Sequence, residues 1–334
     1  MVKDKDIGNV KHFSEDDLRF ATPIDVADYR ADRLKCNVIV DLCSGIGIQS
    51  GAFALTCKKV YGFEIDKRKV EYAKKNFEGV KNVYFEVGDV LEPSVIEKVR
   101  EISPDIIFCD PERLPQEKER NLESIRPDVF KLIEVYSKIT PNICLEIPPQ
   151  IDMDKLDKLG DMEKEYLSVG NKLNRLDLCF GNLKKAEVSV VDAITNERIE
   201  KRKVNVVKSN KISNYIYEIS TAIVKAGLEN EFANEIKGNI LEGTEKKILI
   251  TSDKLDNKFN SLCKAFEVMG FGNNYIQVMD ILKKLKIGKV VIKYSIDPKD
   301  YWKERNSYER SLRGNREGVL FNINGRYVVC EEIN

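Results

Sequence analysis

The chain has 334 residues, of which 33% are charged and 42% are hydrophobic, a composition typical of soluble globular proteins. Its 55 Lys and Arg residues balance 55 Asp and Glu residues, so the net charge gives no support for nucleic-acid binding by the chain as a whole. The longest uncharged stretch, 42–57, is too short and too polar to cross a bilayer. The first residues alternate in charge and carry no apolar signal-peptide region, so we expect a cytoplasmic protein.

Histidine and cysteine limit the chemistry that the chain can perform. The single histidine, His12, lies among charged residues near the start, which argues against a Ser-His-Asp triad and against zinc catalysis that depends on histidine. None of the eight cysteines is spaced as Cys-x-x-Cys, and most lie in apolar runs. We therefore expect reduced core thiols and no metal, and any chemistry must depend on carboxylates, backbone groups or a cofactor.

Helical and strand patterns alternate from residue 22 to residue 147. Thr22 and Pro23 predict the N-cap and the first residue of a helix that continues to residue 34. Strands are predicted at 37–43, 59–65, 82–87, 105–109 and 142–147, and helices at 47–57, 67–77, 94–102 and 127–139. Asp66 is predicted to cap the second of these four helices. Five strands joined by helical crossovers predict an α/β, Rossmann-like parallel sheet covered on both faces.

The pattern changes after residue 160. Antiparallel strands are predicted at 165–170 and 172–180, followed by a hairpin around Thr195 and Asn196. The C-terminal part mixes helices, at 223–236 and 275–286, with strands at 247–251, 288–296, 318–324 and 326–332. We therefore predict a domain at 1–205, in which 1–20 is a leader, and a smaller α+β domain at 206–334.

The ends of the first four predicted strands carry a series of ligand-binding signals. Ligands of open parallel sheets bind at the carboxyl ends of the strands. The segments found there are Asp41-Leu42-Cys43-Ser44-Gly45-Ile46-Gly47, then Glu64-Ile65-Asp66, Gly88-Asp89-Val90 and Asp110-Pro111-Glu112-Arg113. The four acidic residues that mark these segments are spaced by 23, 25 and 21 residues. Each signal alone also occurs in ordinary turns and helix caps, whereas the whole set favours a nucleotide-like ligand.

Two nucleotide ligands fit such a series to different degrees. A dinucleotide-binding dehydrogenase is typified by Gly-x-Gly-x-x-Gly, whereas the third glycine of this chain, Gly51, comes one residue late. Such an enzyme also has no particular need for Asp89 or for the Asp110-Pro111 pair. S-adenosylmethionine (SAM) uses the whole series: a glycine turn, a carboxylate for the ribose, a contact to the adenine and an acidic residue followed by proline at the reactive methyl group.

These motifs resemble those of class I SAM-dependent methyltransferases. The similarity extends over nearly the whole chain from about residue 20, through TPIDVADYRADRL, IIFCDPER, EIPPQI and YIYEISTAIVKAGL, and it is to methyltransferases with a THUMP-like C-terminal domain. The first part is also similar, more distantly, to RNA methyltransferases of the trimethylguanosine synthase type. The resemblance implies a SAM-binding fold and an RNA substrate, without specifying the nucleotide.

The resemblance also assigns roles to individual residues. It implies that Asp41, Gly45 and Gly47 hold the methionine end of SAM, that Glu64 binds the ribose and that Asp89 lies near the adenine. Cys43, in the same turn, is also expected to contact the cofactor. Asp110 and Pro111 are then expected to line the target pocket with Glu112 and Arg113 as catalytic residues. The family motif for amino groups is usually Asn/Asp-Pro-Pro followed by an aromatic residue. Because Glu112 and Arg113 replace the last two positions, Arg113 is expected either to stack on a base or to form a salt bridge.

The prediction of RNA as partner depends on residues 281–330. This segment contains twelve Lys or Arg residues and five acidic residues in a chain that is neutral overall. Tyr294, Tyr301, Trp302 and Tyr308 are interleaved with the basic residues, a combination that suits phosphate pairing and base stacking. The alternative is a solvated helix face with the aromatic residues in the core.

Four chemical alternatives follow from the same residues. The preferred one is methylation of an exocyclic or ring nitrogen of a base in tRNA or rRNA, with Asp110 orienting the nitrogen and taking its proton. Methylation at carbon 5 of a pyrimidine needs a nucleophilic cysteine, and Cys109 is predicted to point away from Asp110. A SAM-dependent protein methyltransferase would have the same catalytic half. A binding module without catalysis is disfavoured by the intact glycine and acidic positions.

Overall fold

The computed structural model describes residues 10–113, 121–242 and 247–333. The chain forms two compact units, each described here by itself. The first consists of 1–169 and 173–200, and the second of 170–172 and 201–334. This division lies within five residues of the predicted domain boundary at 205/206.

In the described part of the first unit, nine strands form one sheet and two short strands form a separate ladder. The strands are β1 (Val38–Leu42), β2 (Lys59–Glu64), β3 (Val83–Val87), β4 (Ile106–Cys109), β5 (Glu112–Arg113), β6 (Ile125–Arg126), β7 (Ile143–Ile147), β8 (Met162–Val169), β9 (Lys172–Phe180), β10 (Val188–Asp192) and β11 (Arg198–Glu200). The order in the large sheet is β11-β10-β8-β9-β7-β4-β1-β2-β3, and β5 pairs with β6. The five strands from β7 to β3 are parallel, whereas β9 is antiparallel to β7.

Helices cover this sheet. They are α1 (Glu15–Phe20), α2 (Ile24–Arg33), α3 (Ile48–Thr56), α4 (Lys67–Asn76), α5 (Pro93–Ile102), α6 (Val129–Tyr136) and α7 (Met153–Leu156). Strand order reverses between β1 and β4, because the chain builds β2 and β3 on one side of β1 and then returns to place β4 on the other. That reversal creates the crevice in which open α/β sheets bind ligands.

The local sequence explains why these elements begin and end where they do. The Asp66 carboxylate accepts from the backbone N–H groups of Arg68 and Lys69, as predicted for the cap of α4. Val40, Phe108 and Leu145 are fully buried in the central strands, which accounts for the uninterrupted apolar runs that predicted them. The prediction for α2 was wrong by one residue. Pro23 is the N-cap and Thr22 precedes it, so the helix begins at Ile24.

The second unit is built on an eight-stranded sheet within its described residues. The strands are β12 (Lys208–Ser209), β13 (Tyr215–Ile219), β14 (Asn239–Leu241), β15 (Leu249–Ser252), β16 (Cys263–Gly272), β17 (Ile287–Ile292), β18 (Arg316–Ile323) and β19 (Arg326–Ile333). Their order is β12-β14-β15-β13-β16-β19-β18-β17. The helices are α8 (Thr221–Ala226), α9 (Glu229–Glu235), α10 (Tyr275–Lys284) and α11 (Tyr301–Glu309). The mixture of helices and strands confirms the predicted α+β class of the smaller part.

One sequence prediction for the second unit was wrong, and some elements were not predicted. The single helix predicted at 223–236 is two helices, α8 and α9, because Gly227 adopts a left-handed backbone (φ 65°) that ends α8. The strand β16 and the helix α11 were not predicted. In β16 charged and apolar residues alternate unevenly, and a β-bulge lies between Val268 and Gly270, which weakens the period-two pattern.

Candidate functional site

A cavity of about 680 Å³ lies at the carboxyl ends of the parallel strands in the first unit. Its wall contains nearly all of the residues that the sequence singled out, namely Asp41, Cys43, Gly45, Glu64, Asp89, Asp110, Pro111 and Glu112. The cavity is thus large enough for a nucleoside-sized ligand. It lies at the edge of the sheet where the sequence predicted a site.

The turn after β1 contributes backbone groups to the cavity wall. Cys43, Gly45 and Gly47 all have positive φ angles, of 67°, 53° and 90°. A side chain at Gly45 would meet no atom within 4 Å, so this glycine leaves open space inside the cavity. Gly47 instead is the N-cap of α3, and a Cβ there would come within 2.9 Å of the Phe85 ring. Gly47 is not part of the cavity wall, so the structure gives it a conformational role in this turn.

Glu64, at the end of β2, is a buried carboxylate with a fixed orientation. One oxygen, Oε2, accepts from the backbone N–H of Gly45 at 2.9 Å, and the other, Oε1, accepts from the N–H of Asp66 at 3.0 Å. A carboxylate has about four lone-pair sites. These two bonds therefore leave each oxygen able to accept one more hydrogen bond from a ligand in the cavity.

Asp41, the last-but-one residue of β1, is almost fully buried at 1% exposure. Burial raises the pKa of its carboxyl group to about 7, and the negative charge of Glu64 adds to this effect. The Ser50 hydroxyl, which donates to Asp41 Oδ2 at 2.5 Å, and the Arg30 guanidinium act in the opposite direction. Near neutral pH this carboxyl group can therefore respond to the charge of a ligand.

Asp89 follows β3 and is held against the cavity by its own turn. Its Oδ1 accepts from the backbone N–H of Leu91 at 2.9 Å, and Glu92 N–H donates to the Asp89 carbonyl at 3.0 Å. The backbone of Gly88 and Val90 also lines the cavity beside it. This turn therefore presents both backbone and carboxylate groups to a ligand.

A row of carboxyl groups, Asp110, Glu146 and Asp177, crosses the three neighbouring strands β4, β7 and β9. In the ladder between β4 and β7, Cys109 pairs with Leu145, so Asp110 and Glu146 come next on their strands. Glu146 in turn pairs with Asp177 across β7 and β9. Asp110 and Glu146 both line the cavity.

Two arginines neutralise part of this row. Arg30, from α2, is fully buried and donates from Nε to Asp177 Oδ2 at 2.8 Å and from Nη2 to Asp177 Oδ1 at 2.5 Å. Its Nη2 also lies 2.7 Å from Glu146 Oε2. Arg175, from β9, places Nε 2.7 Å from Glu146 Oε1. Glu146 is therefore held between two guanidinium groups.

The pKa values of Asp110 and Glu146 are shifted in opposite directions. Burial raises the pKa of Asp110 well above its usual range, and the neighbouring charge of Glu146 raises it further. Burial also acts on Glu146, but Arg175 and Arg30 outweigh it and lower the pKa of this group. Of the two groups, Asp110 is therefore the one that more readily keeps a proton.

The segment after Asp110 contributes Pro111 and Glu112 to the cavity wall. Pro111 is buried in the cavity wall, and Glu112 is exposed with Oε1 3.3 Å from Lys69 Nζ. The backbone of Arg113 pairs with Ile125, while its side chain lies outside the described residues. The ion pair of Glu112 with Lys69 leaves the expected salt bridge of Arg113 untested. The role of Arg113 stays a prediction.

The structure adds cavity residues that sequence reasoning missed. Glu146 and Arg175 come from strands β7 and β9, and Ser44 and Gln49 come from the turn and the first helical residues after β1. Ser44 Oγ and Gln49 Oε1 are buried and have no hydrogen-bond partner. A signal for Glu146 was present, because a carboxylate inside the apolar run 142–147 is costly to bury without a function or a partner.

The basic segment of the second unit is mostly free of acidic partners. Nine of its twelve Lys and Arg side chains are exposed with no carboxylate within 4 Å among the described residues, namely Lys283, Lys284, Lys286, Lys289, Lys299, Lys303, Arg310, Arg313 and Arg326. The aromatic prediction was partly wrong. Tyr308 is 1% exposed, and Tyr294 donates to Glu304, so both belong to the core. Trp302 is 64% exposed, and the Arg305 guanidinium lies 5.5 Å from its ring centroid.

Two other observations concern the described parts of the chain. No helix there has the length and apolar character of a transmembrane span. Nor do the described His, Cys, Asp and Glu side chains form any group of three or more that could hold a metal ion. The cysteines are free thiols, six of them buried.

Solved structures share this architecture. A Porphyromonas gingivalis W83 protein described as a methyltransferase superposes with a TM-score of 0.76, covering 97% of this chain and 84% of that one at 15% identity. At this identity the likeness concerns the fold. It confirms the predicted fold class, a Rossmann-like methyltransferase sheet followed by a second unit.

Sequence relatives match a shorter region. An uncharacterized RNA methyltransferase of Oceanobacillus iheyensis is 40% identical over 81 residues, 24% of this chain and 18% of the relative. One from Listeria monocytogenes is 42% identical over 80 residues, 22% of this chain and 17% of the relative. The chain thus spans less than a fifth of the length of these curated relatives.

A family model covers much more of the chain. The model described as RNA cap guanine-N2 methyltransferase matches residues 36–222, which include all the strand ends that form the cavity. More than half of the sequence lies in this match, and the chain therefore belongs to the RNA cap guanine-N2 methyltransferase family.

Proposed function

We propose that this protein is a SAM-dependent methyltransferase that modifies a nitrogen atom of a base in RNA. The observation that carries the proposal is the cavity, which brings a glycine turn and the acidic groups Asp41, Glu64, Asp89 and Asp110 to one edge of the sheet. The family description and the names of the curated relatives support RNA as the substrate.

The residues of the cavity fit the methyl donor. Glu64 retains acceptor capacity for ribose hydroxyls, and Asp89 lies one strand further along, where it can accept from the adenine amino group. Ser44 Oγ and Gln49 Oε1, buried without partners, suit the charged methionine end. The open space at Gly45 lets backbone approach the ligand closely. SAM supplies a methyl group on a positively charged sulfur, and the carbon–sulfur bond breaks as the acceptor nitrogen attacks.

The target side of the cavity favours nitrogen over carbon. Asp110 can accept a hydrogen bond from an amino group and direct the nitrogen lone pair, and Pro111 shapes the wall next to it. Burial and the neighbouring Cys43 thiol, 3.8 Å away, raise the pKa of the Cys109 thiol well above its usual range. A thiol that stays protonated is a poor nucleophile, so chemistry at carbon 5 is disfavoured.

A transfer experiment separates RNA from protein substrates. The purified chain is incubated with SAM carrying a radiolabelled methyl group and with either total RNA or total protein from a strain that lacks the gene. We expect label in RNA, in a nucleoside that mass spectrometry identifies as nitrogen-methylated. Label in protein alone would replace this proposal with the protein methyltransferase alternative.

The second unit is proposed to bind the RNA through its basic segment. The three exposed lysines Lys283, Lys284 and Lys286 lie at or just after the C-terminal end of α10 without acidic partners within 4 Å. Changing all three to Glu should weaken binding to structured RNA and flatten the plot of log affinity against log salt by about 0.7–0.9 per lost phosphate contact. SAM affinity should stay unchanged.

A matched triple variant controls for the change in net charge. Lys208, Lys211 and Lys254 are also exposed lysines of the second unit outside the basic segment, and their change to Glu alters the net charge equally. Binding titrations at several salt concentrations should show a clearly smaller effect for this control. Equal effects of the two triple variants would mean that general charge, and not the basic segment, attracts the RNA. Exposed Trp302 is the remaining candidate for base stacking in this segment.

A further inference from the structure

We propose that Asp110 and Glu146 form a carboxyl pair that holds one proton in the free protein and releases it when the positively charged methyl donor binds. The inference rests on the proposed function, since it concerns the charge that SAM brings into the cavity. It assigns to Glu146 a role as a positioning residue, which sets the protonation state of Asp110.

The charges of the row balance only when one of its carboxyl groups is protonated. Asp110, Glu146 and Asp177 follow one another across β4, β7 and β9. The two guanidinium groups available, Arg30 and Arg175, contact Asp177 and Glu146. Three ionised carboxylates beside two guanidinium groups would leave one negative charge uncompensated in a buried place. One proton makes the row neutral.

The proton lies on the member of the row that has no guanidinium partner. No Lys or Arg nitrogen of the described residues lies within 4 Å of the Asp110 carboxyl group, whereas Glu146 has two such contacts. Asp110 and Glu146 directly follow the Cys109–Leu145 pair of the β4–β7 ladder, and between two such neighbouring carboxyl groups only a protonated one can donate a hydrogen bond. The opposite pKa shifts of the two groups agree with this assignment.

Other charged groups around Asp110 also act on its pKa. Asp41, from β1, raises the pKa of Asp110, and Arg30 and Arg175 lower it without abolishing the shift. Arg126 and Lys131 line the cavity but are exposed, where water screens their charge. A sulfonium bound in the cavity that Asp110 lines would add a positive charge near this carboxyl group. Such a charge favours the ionised carboxylate.

The release of this proton makes the reaction balance. Asp110 loses its proton to solvent as the charged donor binds, and it then faces the acceptor nitrogen as a carboxylate. When the methyl group has moved to nitrogen, the sulfur is neutral and the nitrogen carries one proton in excess. Asp110 takes that proton and returns to the neutral pair with Glu146. The row is thus a base only while the methyl donor is present.

Titration calorimetry measures the proton directly. SAM and its demethylated product, S-adenosylhomocysteine, are titrated at pH 8 in two buffers with different ionisation enthalpies, because the difference in heat gives the number of protons released. At this pH Asp41, with a pKa of about 7, is already mostly ionised. We expect SAM to release up to about one proton more than the neutral product. An analogue with an ammonium group in place of the sulfonium should behave like SAM.

Variants assign the proton to the pair. In Asp110→Asn the difference between SAM and the neutral product should disappear while both still bind. In Asp89→Asn, which alters a cavity carboxylate outside the row, the difference should remain, whatever the change in affinity. Equal proton release for SAM and product in the unmodified protein would overturn the carboxyl-pair proposal alone. Absence of binding by either compound would overturn the proposed function itself. A difference that persists in Asp110→Asn would locate the proton elsewhere.

Discussion

Replacing Asp110 with alanine should reduce methyl transfer to RNA by about 10²–10⁴-fold, the range that a positioned proton acceptor contributes. SAM affinity should change far less, because we assign Asp110 to the acceptor base and Glu64 and the glycine turn to SAM. Transfer of a radiolabelled methyl group under single-turnover conditions measures the rate, and calorimetry measures the affinity.

Two further variants make this result specific. Asp110→Asn retains an oxygen that can accept a hydrogen bond but cannot take a proton, so we expect a rate between those of the unmodified protein and Asp110→Ala. Asp161, an exposed residue outside the cavity, serves as the control, and its change to alanine should leave the rate unaltered. An Asp110→Ala protein that transfers methyl groups at the normal rate would show that Asp110 does not orient the acceptor.

The largest loss of stability is expected from Arg30→Met. Arg30 is fully buried, contacts Asp177 and Glu146 and lies 5.1 Å from the centroid of the Phe108 ring. Its removal leaves two buried carboxylates with less compensation, and removing one partner of a buried ion pair costs about 3–5 kcal/mol. Urea unfolding followed by circular dichroism gives the change in the free energy of unfolding.

An exposed arginine provides the matched control for this substitution. Arg100 pairs with Glu97 on the surface of α5, where both side chains are more than half exposed. Surface pairs contribute about 0–1 kcal/mol, so Arg100→Met should have a small effect. Equal effects of the two substitutions would mean that the row of carboxyl groups is solvated and that its charges do not need Arg30.

The strand ends of the first unit could be predicted because local sequence determines them. Short apolar runs define the five parallel strands, and the residues just after each run must lie at one edge of the sheet. Asp41, Glu64, Asp89 and Asp110 therefore come together in the cavity as the sequence predicted. Their individual roles toward a cofactor are proposals that the experiments described here test.

The contacts of Arg30 and Arg175 with the row of carboxyl groups could not be predicted in this way. Arg30, Glu146 and Arg175 lie far apart in the sequence, and their contact depends on β9 entering the sheet antiparallel beside β7. Chain order alone does not specify where a later strand joins the sheet. The protonation state of Asp110 depends on these contacts and so could not be predicted from the motif.

The aromatic residues of the basic segment show a second limit. Tyr294, Tyr308 and Trp302 are all interleaved with basic residues, yet Tyr308 is buried, Tyr294 is partly buried against the core and Trp302 is exposed. Helix α11 packs against β17, and this packing selects which aromatic faces inward.

The membership of the chain in a methyltransferase family, implied by the motifs, is confirmed by the family match. The THUMP-like nature of the second unit stays a prediction.

The most direct test of the account is the identity of the ligand that the cavity binds. Calorimetry with the unmodified protein should give dissociation constants in the micromolar range or tighter for SAM and its demethylated product, and no measurable binding of NAD. Glu64→Ala should weaken SAM binding by about 1.5–3 kcal/mol, or roughly 10-fold to 100-fold, because it removes a charged acceptor of ribose hydroxyls. Tight binding of NAD together with no binding of SAM would contradict the account.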